Sequence, residues 1–255
     1  GTETTVTTGT DGNGVATADI TNAVAEGITV TATPVSNATG AKTLGLTFTE
    51  LAPVPMPSTT RIEVNGAEFG ATDGFPKTGF VGARFQFAMG GNTANNSNYT
   101  WTVESGSWLS VDASGNVVFN SEGDGQAVIL ATPVAGGTPL SYTIDVDTWF
   151  INSEGTTMTA ADADAWCSTQ GGGYAIPSYT QMTNVTSIAD SGGARAPAAP
   201  LWSEWGHMDK YGWSSNYWAS EVSGSDRYYA NLLVGRLYTT GNAMLSTDVA
   251  CSKNI

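Results

Sequence analysis

The sequence predicts a mainly β protein, on three observations. Glycine and proline are abundant, at 31 and 10 of 255 residues. Only 13% of the residues are charged. Long stretches of Thr, Ser, Asn and Val are interrupted by turn-forming residues. This composition favours short strands joined by tight turns. The length accommodates two to three domains of about 100 residues each, and a hydrophobic fraction of 40% is enough to build their cores. A net charge of −14 with 9 Lys and Arg residues provides no basic face, which argues against nucleic acid or an anionic lipid surface as partner.

Residues 1–52 are Thr-rich. Strands are expected at 4–8, at 14–20 after the Asp11-Gly12-Asn13-Gly14 turn, at 27–34 and at 42–49. The segment Ala52-Pro53-Val54-Pro55-Met56-Pro57 reads as a linker, because prolines at alternate positions stiffen the chain and remove backbone donors. Residues 53–147 then carry strand patterns at 61–64, 84–89, 98–104, 117–120, 127–131 and 141–146. Trp101 is expected in the core of this part.

Residues 148–255 differ in character. They hold 6 of the 8 tryptophans, and the net charge falls from −10 over residues 1–147 to −4 here. One helix is clear: Thr159 caps it, Asp162 favours the positive end of its dipole, Ala163, Trp166, Cys167 and Gln170 follow at helical spacing, and Gly171 to Gly173 end it. A strand at 174–178, a second short helix at 180–188, a long loop at 189–200 and strands at 201–206, 216–221, 227–234 and 247–251 complete the pattern. Gly235-Arg236-Leu237-Tyr238 is expected as a loop tip. Two cysteines permit one pairing, Cys167 with Cys251, against the alternative of two buried free thiols. That bridge closes most of the last part and contributes about 4 kcal/mol by chain entropy.

Several of these features together resemble one family. Trp166-Cys167, Ile176-Pro177-Ser178, Trp202-Ser203-Glu204-Trp205-Gly206, Tyr217-Trp218 and the terminal Cys251 resemble the C-terminal lectin-like domain of the intimin/invasin adhesins. Phe75 to Phe80, Tyr99-Thr100-Trp101 and Val111 to Val117 resemble the immunoglobulin-like domain that precedes it. Residues 10–16 and 28–32 look like the later strands of a bacterial immunoglobulin-like repeat, although 52 residues are few for a sandwich that normally takes about 100. The resemblance implies a partial immunoglobulin-like domain at 1–52, an immunoglobulin-like domain at 53–147 and a C-type-lectin-like α+β domain with one disulfide at 148–255. It also implies the extracellular portion of a bacterial outer-membrane adhesin, a stalk with a tip that binds a host cell-surface or secreted protein.

Trp and Arg are the side chains that most often carry binding energy at protein interfaces. Candidate partner-binding residues are therefore Arg195 in the long loop, Tyr211 and Trp213 in a turn-rich segment without alternation, and Asp226, Arg227, Arg236 and Tyr238 at the later turns. Trp213 is expected to be an exposed anchor. Integrin recognition by some invasins uses an exposed aspartate, for which Asp226 and Asp209 are the candidates. The Glu-Pro-Asn, Gln-Pro-Asp and Trp-Asn-Asp sequences of calcium-dependent lectins are absent, and the acidic residues are scattered, so neither a metal nor another cofactor is expected. The single histidine, His207, lies in no hydrolase motif. Catalysis would have to rest on Glu204 paired with another carboxylate. The expectation is a monomeric binding protein that does not insert into membranes. A glycan-binding module using exposed aromatics and a purely structural stalk are the other readings.

Overall fold

The computed structural model describes residues 5–20, 26–34, 40–240 and 246–255, and the fold is mainly β. The chain forms two compact units, Gly1–Ala52 and Pro53–Ile255.

In the first unit, β1 (Gly27–Ala32) and β2 (Lys42–Thr47) pair as an antiparallel ladder that sets Ile28 opposite Leu46 and Val30 opposite Leu44. The two strands expected earlier do not form in residues 5–8 and 14–20; Thr4 lies outside the described residues. Extended Thr-rich chain becomes a strand only when a neighbour supplies its ladder, and among the described residues neither segment has one. A side-chain-anchored turn forms between them. The Asp11 carboxylate accepts from Asn13 N and Val15 N, each at 2.9 Å, and these bonds hold its pKa below the usual carboxylate range. The same turn recurs in the second unit at Asp112, which accepts from Ser114 N at 2.8 Å and Asn116 N at 2.9 Å. The left-handed position falls on a glycine in both, Gly14 at φ 79° and Gly115 at φ 73°.

The second unit starts earlier than the proline pattern implies. Val54–Pro55 is a short strand, β3, parallel to β12 (Leu140–Asp145). Val54 N donates to Pro139 O at 3.0 Å, and Met56 N donates to Ser141 O at 2.9 Å. Alternating prolines leave every remaining N–H on one side of the chain, and one-sided pairing is all that an edge strand needs. The segment is thus docked from Val54 onward instead of serving throughout as a semi-rigid spacer, and Met56 is buried.

Two sheets face each other over residues 54–145. One runs β5-β4-β7-β10-β9, from β4 (Arg61–Val64), β5 (Ala67–Gly70), β7 (Arg84–Ala88), β9 (Leu109–Val111) and β10 (Asn116–Phe119). The other runs β3-β12-β11-β8, with β8 (Tyr99–Ser105) and β11 (Gln126–Pro133). Alternate residues point inward, so Phe85 and Phe87 on β7 meet Tyr142 on β12, and the Phe87 ring stacks on Trp101 at 5.0 Å. The Trp101 indole donates to Asn96 O at 3.1 Å, which satisfies its one polar atom in the core.

A third sheet, β17-β13-β6, stitches this sandwich to the rest of the unit. Thr78–Gly79 (β6) pairs in parallel with Thr148–Asn152 (β13), and β13 pairs antiparallel with Ala250–Asn254 (β17). Gly79 is required there, because a Cβ would lie 2.5 Å from the Trp149 ring. Helix α1 (Ala160–Thr169) is capped by Thr159, which accepts from Asp162 N at 3.3 Å and donates to the Asp162 carboxylate at 2.7 Å. The disulfide Cys167–Cys251 ties α1 to β17 with Cα atoms 5.6 Å apart.

Five further elements depart from the expected pattern. Leu201–Trp205 is a helix, α3, not a strand. All five of its residues are buried, the polar Ser203 and Glu204 included, so the sequence shows no helical or strand period to read. The second helix is only Tyr179–Met182 (α2), and residues 174–178 make one isolated bridge, Ala175 to Ser252, instead of a strand. The final strand begins at Ala250. Arg236–Thr239 is a strand, β16, in the sheet β14-β15-β16 with Asn216–Ser223 and Asp226–Asn231.

Replacing both cysteines by serine is expected to lower the stability of residues 53–255 by about 4 kcal/mol. Urea midpoints of the wild type and the double variant, with the reduced wild type alongside, measure this.

Candidate functional site

The side chains that the sequence nominates for binding fall into two groups, one at an internal junction and one on a sheet face.

The junction joins the sandwich to residues 148–255. Glu204, on α3, is completely buried. Its Oε1 accepts from Lys77 N at 2.7 Å and Ala199 N at 3.3 Å, and its Oε2 accepts from Thr78 N at 2.8 Å and Thr78 Oγ1 at 2.5 Å. Burial pushes the carboxyl up to about 7, against the downward pull of these hydrogen bonds. Both oxygens are occupied and out of reach of solvent, so Glu204 is a structural cross-link and offers no acid or base to a substrate. Beside it, the Trp205 indole donates to Thr78 Oγ1 at 2.9 Å.

Arg195 completes the junction. Its guanidinium donates to four backbone carbonyls: Ser203 at 3.1 Å and Asn65, Val64 and Glu204 at 2.9 Å each. The φ of 75° at Gly206 and the approach of Arg195 Nη1 to within 2.3 Å of a Cβ built there leave room for glycine alone. Asn65, at the β4–β5 turn, donates in return to Trp205 O and His207 O, both at 2.9 Å. A second clasp lies where Lys253 of β17 pairs with Glu122 and Tyr174 donates to the same carboxylate at 2.6 Å.

Trp213 also belongs here. It is only 6% exposed and packs its ring at 5.3 Å from Phe80 and 5.4 Å from Tyr217. It is therefore not the exposed anchor that its turn-rich context implies. The turn exists to deliver the indole into the core, a destination with no local sequence signature. Tyr211 lies edge-on to Phe80 at 5.1 Å and under the Arg84 guanidinium at 4.9 Å, and burial pushes its phenol up to about 12. Arg195, Tyr211 and Trp213 thus act within the molecule.

The second group lies on the β14-β15-β16 sheet. The register sets Trp218 opposite Tyr229 and Tyr229 opposite Tyr238, with Arg227 opposite Val222 and Arg236 opposite Asn231. Opposed and alternate residues share a face, so Val222, Arg227, Tyr229, Tyr238 and Arg236 stand together with Trp218, which is 1% exposed and donates to Met158 O at 2.9 Å. The other face carries Tyr217, Ala230 and Leu237 into the core. Tyr229 and Tyr238 stack at 5.3 Å with 16° between their planes, and both stay partly exposed. Arg227 grips Asp164 of α1 with two hydrogen bonds of 2.7 Å. Arg236 donates to Ser191 O and has no acidic partner among the described residues. Arg195 does not join Arg227 and Arg236, being held at the junction by Val64 and Asn65. Asp226 pairs with Ser223 and points to the opposite side from Arg227. Asp209 is exposed beside Lys210 at 3.9 Å. Sequence reasoning missed Tyr229 and Val222. The signal available was the strict alternation Arg227, Tyr229, Asn231 opposite Arg236 and Tyr238. Among the described residues, no three His, Cys, Asp or Glu side chains cluster as a metal site.

Comparison with known proteins agrees with this architecture. Residues 60–144 match the model of invasin domain 4. The inverse autotransporter adhesin YeeJ of Escherichia coli K12 is 34% identical over 185 residues, which is 68% of this chain and 7% of YeeJ. The chain belongs to the intimin/invasin family. The invasin of Yersinia enterocolitica is 29% identical over 194 residues, covering 72% of this chain and 22% of that protein. The chain therefore spans a small part of these relatives' length. The crystal structure of an invasin, described as a bacterial integrin-binding protein, covers 97% of this chain and 54% of its own with a TM-score of 0.69 at 24% identity. A C-terminal intimin fragment solved in complex with the intimin-binding domain of the translocated intimin receptor covers 90% of this chain and 87% of its own, with a TM-score of 0.56 at 16% identity. At these identities the two structures establish the shared fold of this family member, with immunoglobulin-like and lectin-like parts.

Two measurements test the junction. Trp213→Ala is expected to destabilise residues 53–255 by about 4 kcal/mol, read as a lowered urea midpoint; an unchanged midpoint would place the indole outside the core. The folded pKa of Glu204, about 7, lies above its ordinary value of 4.5. The stability it contributes is therefore fully present below the unfolded value and is lost as pH rises through the folded one. The stability gap between wild type and Glu204→Gln should accordingly narrow from about pH 5 to about pH 8, and a gap that widens over this range would show a carboxyl ionised throughout.

Proposed function

We propose that this chain is part of the extracellular portion of a bacterial outer-membrane adhesin, in which residues 1–52 and 53–147 form stalk domains and residues 148–255 form a tip that binds a host protein without calcium. The observation that carries this reading is the relationship to YeeJ, named as an inverse autotransporter adhesin. The related invasin is an integrin-binding protein and the related intimin fragment is bound to a receptor domain, which gives the class of partner.

The physical design supports adhesion. Pull on an attached tip passes through the shared β6-β13-β17 sheet, the Glu204 and Arg195 cross-links and the disulfide, so the tip and the preceding sandwich bear load as one body. The one carboxylate considered for catalysis is consumed by the junction. Binding by surface side chains, with no chemical step, is the activity this arrangement serves.

Beads coated with the 255-residue chain are expected to attach to cultured mammalian epithelial cells. Attachment should be abolished by brief protease treatment of the cells and should persist in EDTA and after glycosidase treatment. Loss of attachment in EDTA would overturn the calcium-free reading, and loss after deglycosylation would make the tip a glycan-binding module.

A further inference from the structure

The adhesive surface of the tip can be located from charge and exposure. We infer that the sheet face bearing Val222, Arg227, Tyr229, Tyr238 and Arg236 is the docking surface, and that its occupant is an acidic, aromatic-bearing segment of a partner protein. This inference rests on the adhesin reading above and specifies its site.

Four observations support it. The first is exposure: Val222 is 66% exposed at one end of the face and the Tyr229–Tyr238 stack remains partly open in its middle, while Trp218 beside Tyr229 is buried and the Arg227 side chain is 15% exposed, so the open part runs through the tyrosine pair to Arg236. A stacked, strand-borne tyrosine pair is rigid, has few rotamers to lose and presents an apolar plane with two hydroxyls at its rim. These are the properties that make tyrosine a frequent anchor at protein interfaces. The second is charge. On a chain of net charge −14 with 9 basic residues, two arginines share this face. The carboxylate bonded to them is Asp164, and Arg227 uses it fully through its two bonds. Asp226 lies on the reverse side. Arg236 is held by one backbone carbonyl and keeps its charge uncompensated. One uncompensated arginine beside an aromatic pair, on an otherwise acidic molecule, is complementary to an acidic partner.

The third observation is support. The reverse of the sheet is anchored by Tyr217, Ala230 and Leu237, each 3% exposed or less. The Arg227 guanidinium is fixed by Asp164 and by Ala219 O at 2.6 Å, so the face is preorganised and little ordering cost falls on binding. The fourth decides between classes of partner. Sulfated or sialylated glycans are gripped by several free cations at once, whereas this face has one free arginine flanking an aromatic platform. That composition is the anatomy of a protein interface.

The test uses the whole 255-residue chain, immobilised, with three soluble probes: a random copolymer of glutamate and tyrosine, polylysine and heparin. The expected result is binding of the copolymer alone, weakening as salt is raised, with affinity falling at least tenfold in Tyr238→Ala and further in Arg236→Glu. Lys210→Ala, which removes an exposed cation elsewhere, should bind as the wild type does. Unchanged thermal melts establish that each variant is folded, and Tyr238→Phe, which keeps the ring, should retain most of the binding. The inference is overturned if the copolymer is not bound, if heparin binds in its place, or if folded Arg236→Glu and Tyr238→Ala bind like the wild type. The bead assay separates the two claims. Wild-type beads that attach while Tyr238→Ala and Arg236→Glu beads attach equally well leave adhesion standing and remove this face from it, whereas wild-type beads that fail to attach remove the adhesin reading itself.

Discussion

Glu204 holds the two halves of residues 53–255 in register by offering both oxygens of a buried carboxyl group to the backbone of Lys77 and Thr78. A carboxyl group taken out of water is costly unless its oxygens find hydrogen-bond partners. Here three backbone N–H groups and a hydroxyl meet that demand from both sides of the junction. The short helix α3, the glycine at 206 and the four carbonyl bonds of Arg195 follow from placing that group there. An apolar contact alone tolerates sliding and rotation, but hydrogen bonds to fixed backbone atoms do not, so the junction has one geometry.

That rigidity explains why the aromatic residues divide as they do. Phe75, Phe80, Trp205 and Trp213 form one network across the junction, with ring centroids 5.0–5.4 Å apart in contacting pairs. A thin domain built of short strands has little volume for a core of its own, and sharing aromatics with its neighbour is one way to complete it. The disulfide fastens the far side, where α1 meets β17. With the junction and the disulfide fixed, the sheet β14-β15-β16 is free to carry side chains for outside use on the face turned from the core.

The sequence was legible wherever a local rule governs. The Thr159 cap and the Gly171 to Gly173 stop delimit α1 to within one residue, because capping depends on neighbours a few positions away. β4 is read at Arg61–Val64, since alternation there reports one wet and one dry face. The rules fail where a distant partner decides. Leu201–Trp205 is buried on all sides, its polar Ser203 and Glu204 included, so its pattern does not distinguish helix from strand. Residues 14–20 have strand composition and no neighbouring ladder. The turn around Trp213 looks like exposed loop and is the lid of a core.

Composition and the spacing of glycine and proline by themselves determined the mainly β class and the principal helix, two cysteines left one possible disulfide, and the tryptophan and cysteine motifs carried the resemblance to the intimin/invasin family. These properties are carried by residue identity or by contacts between near neighbours. Tertiary structure alone decided which nominated residues face outward. Arg195, Trp213 and Arg236 each lie within two residues of a glycine in sequence, yet the first spends its donors on Val64, Asn65, Ser203 and Glu204, the second fills a gap beside Phe80, and the third keeps an unpaired charge on a sheet face. The physical reason is that exposure and hydrogen-bond satisfaction belong to a side chain's partners, and for these residues some of those partners lie more than a hundred positions away.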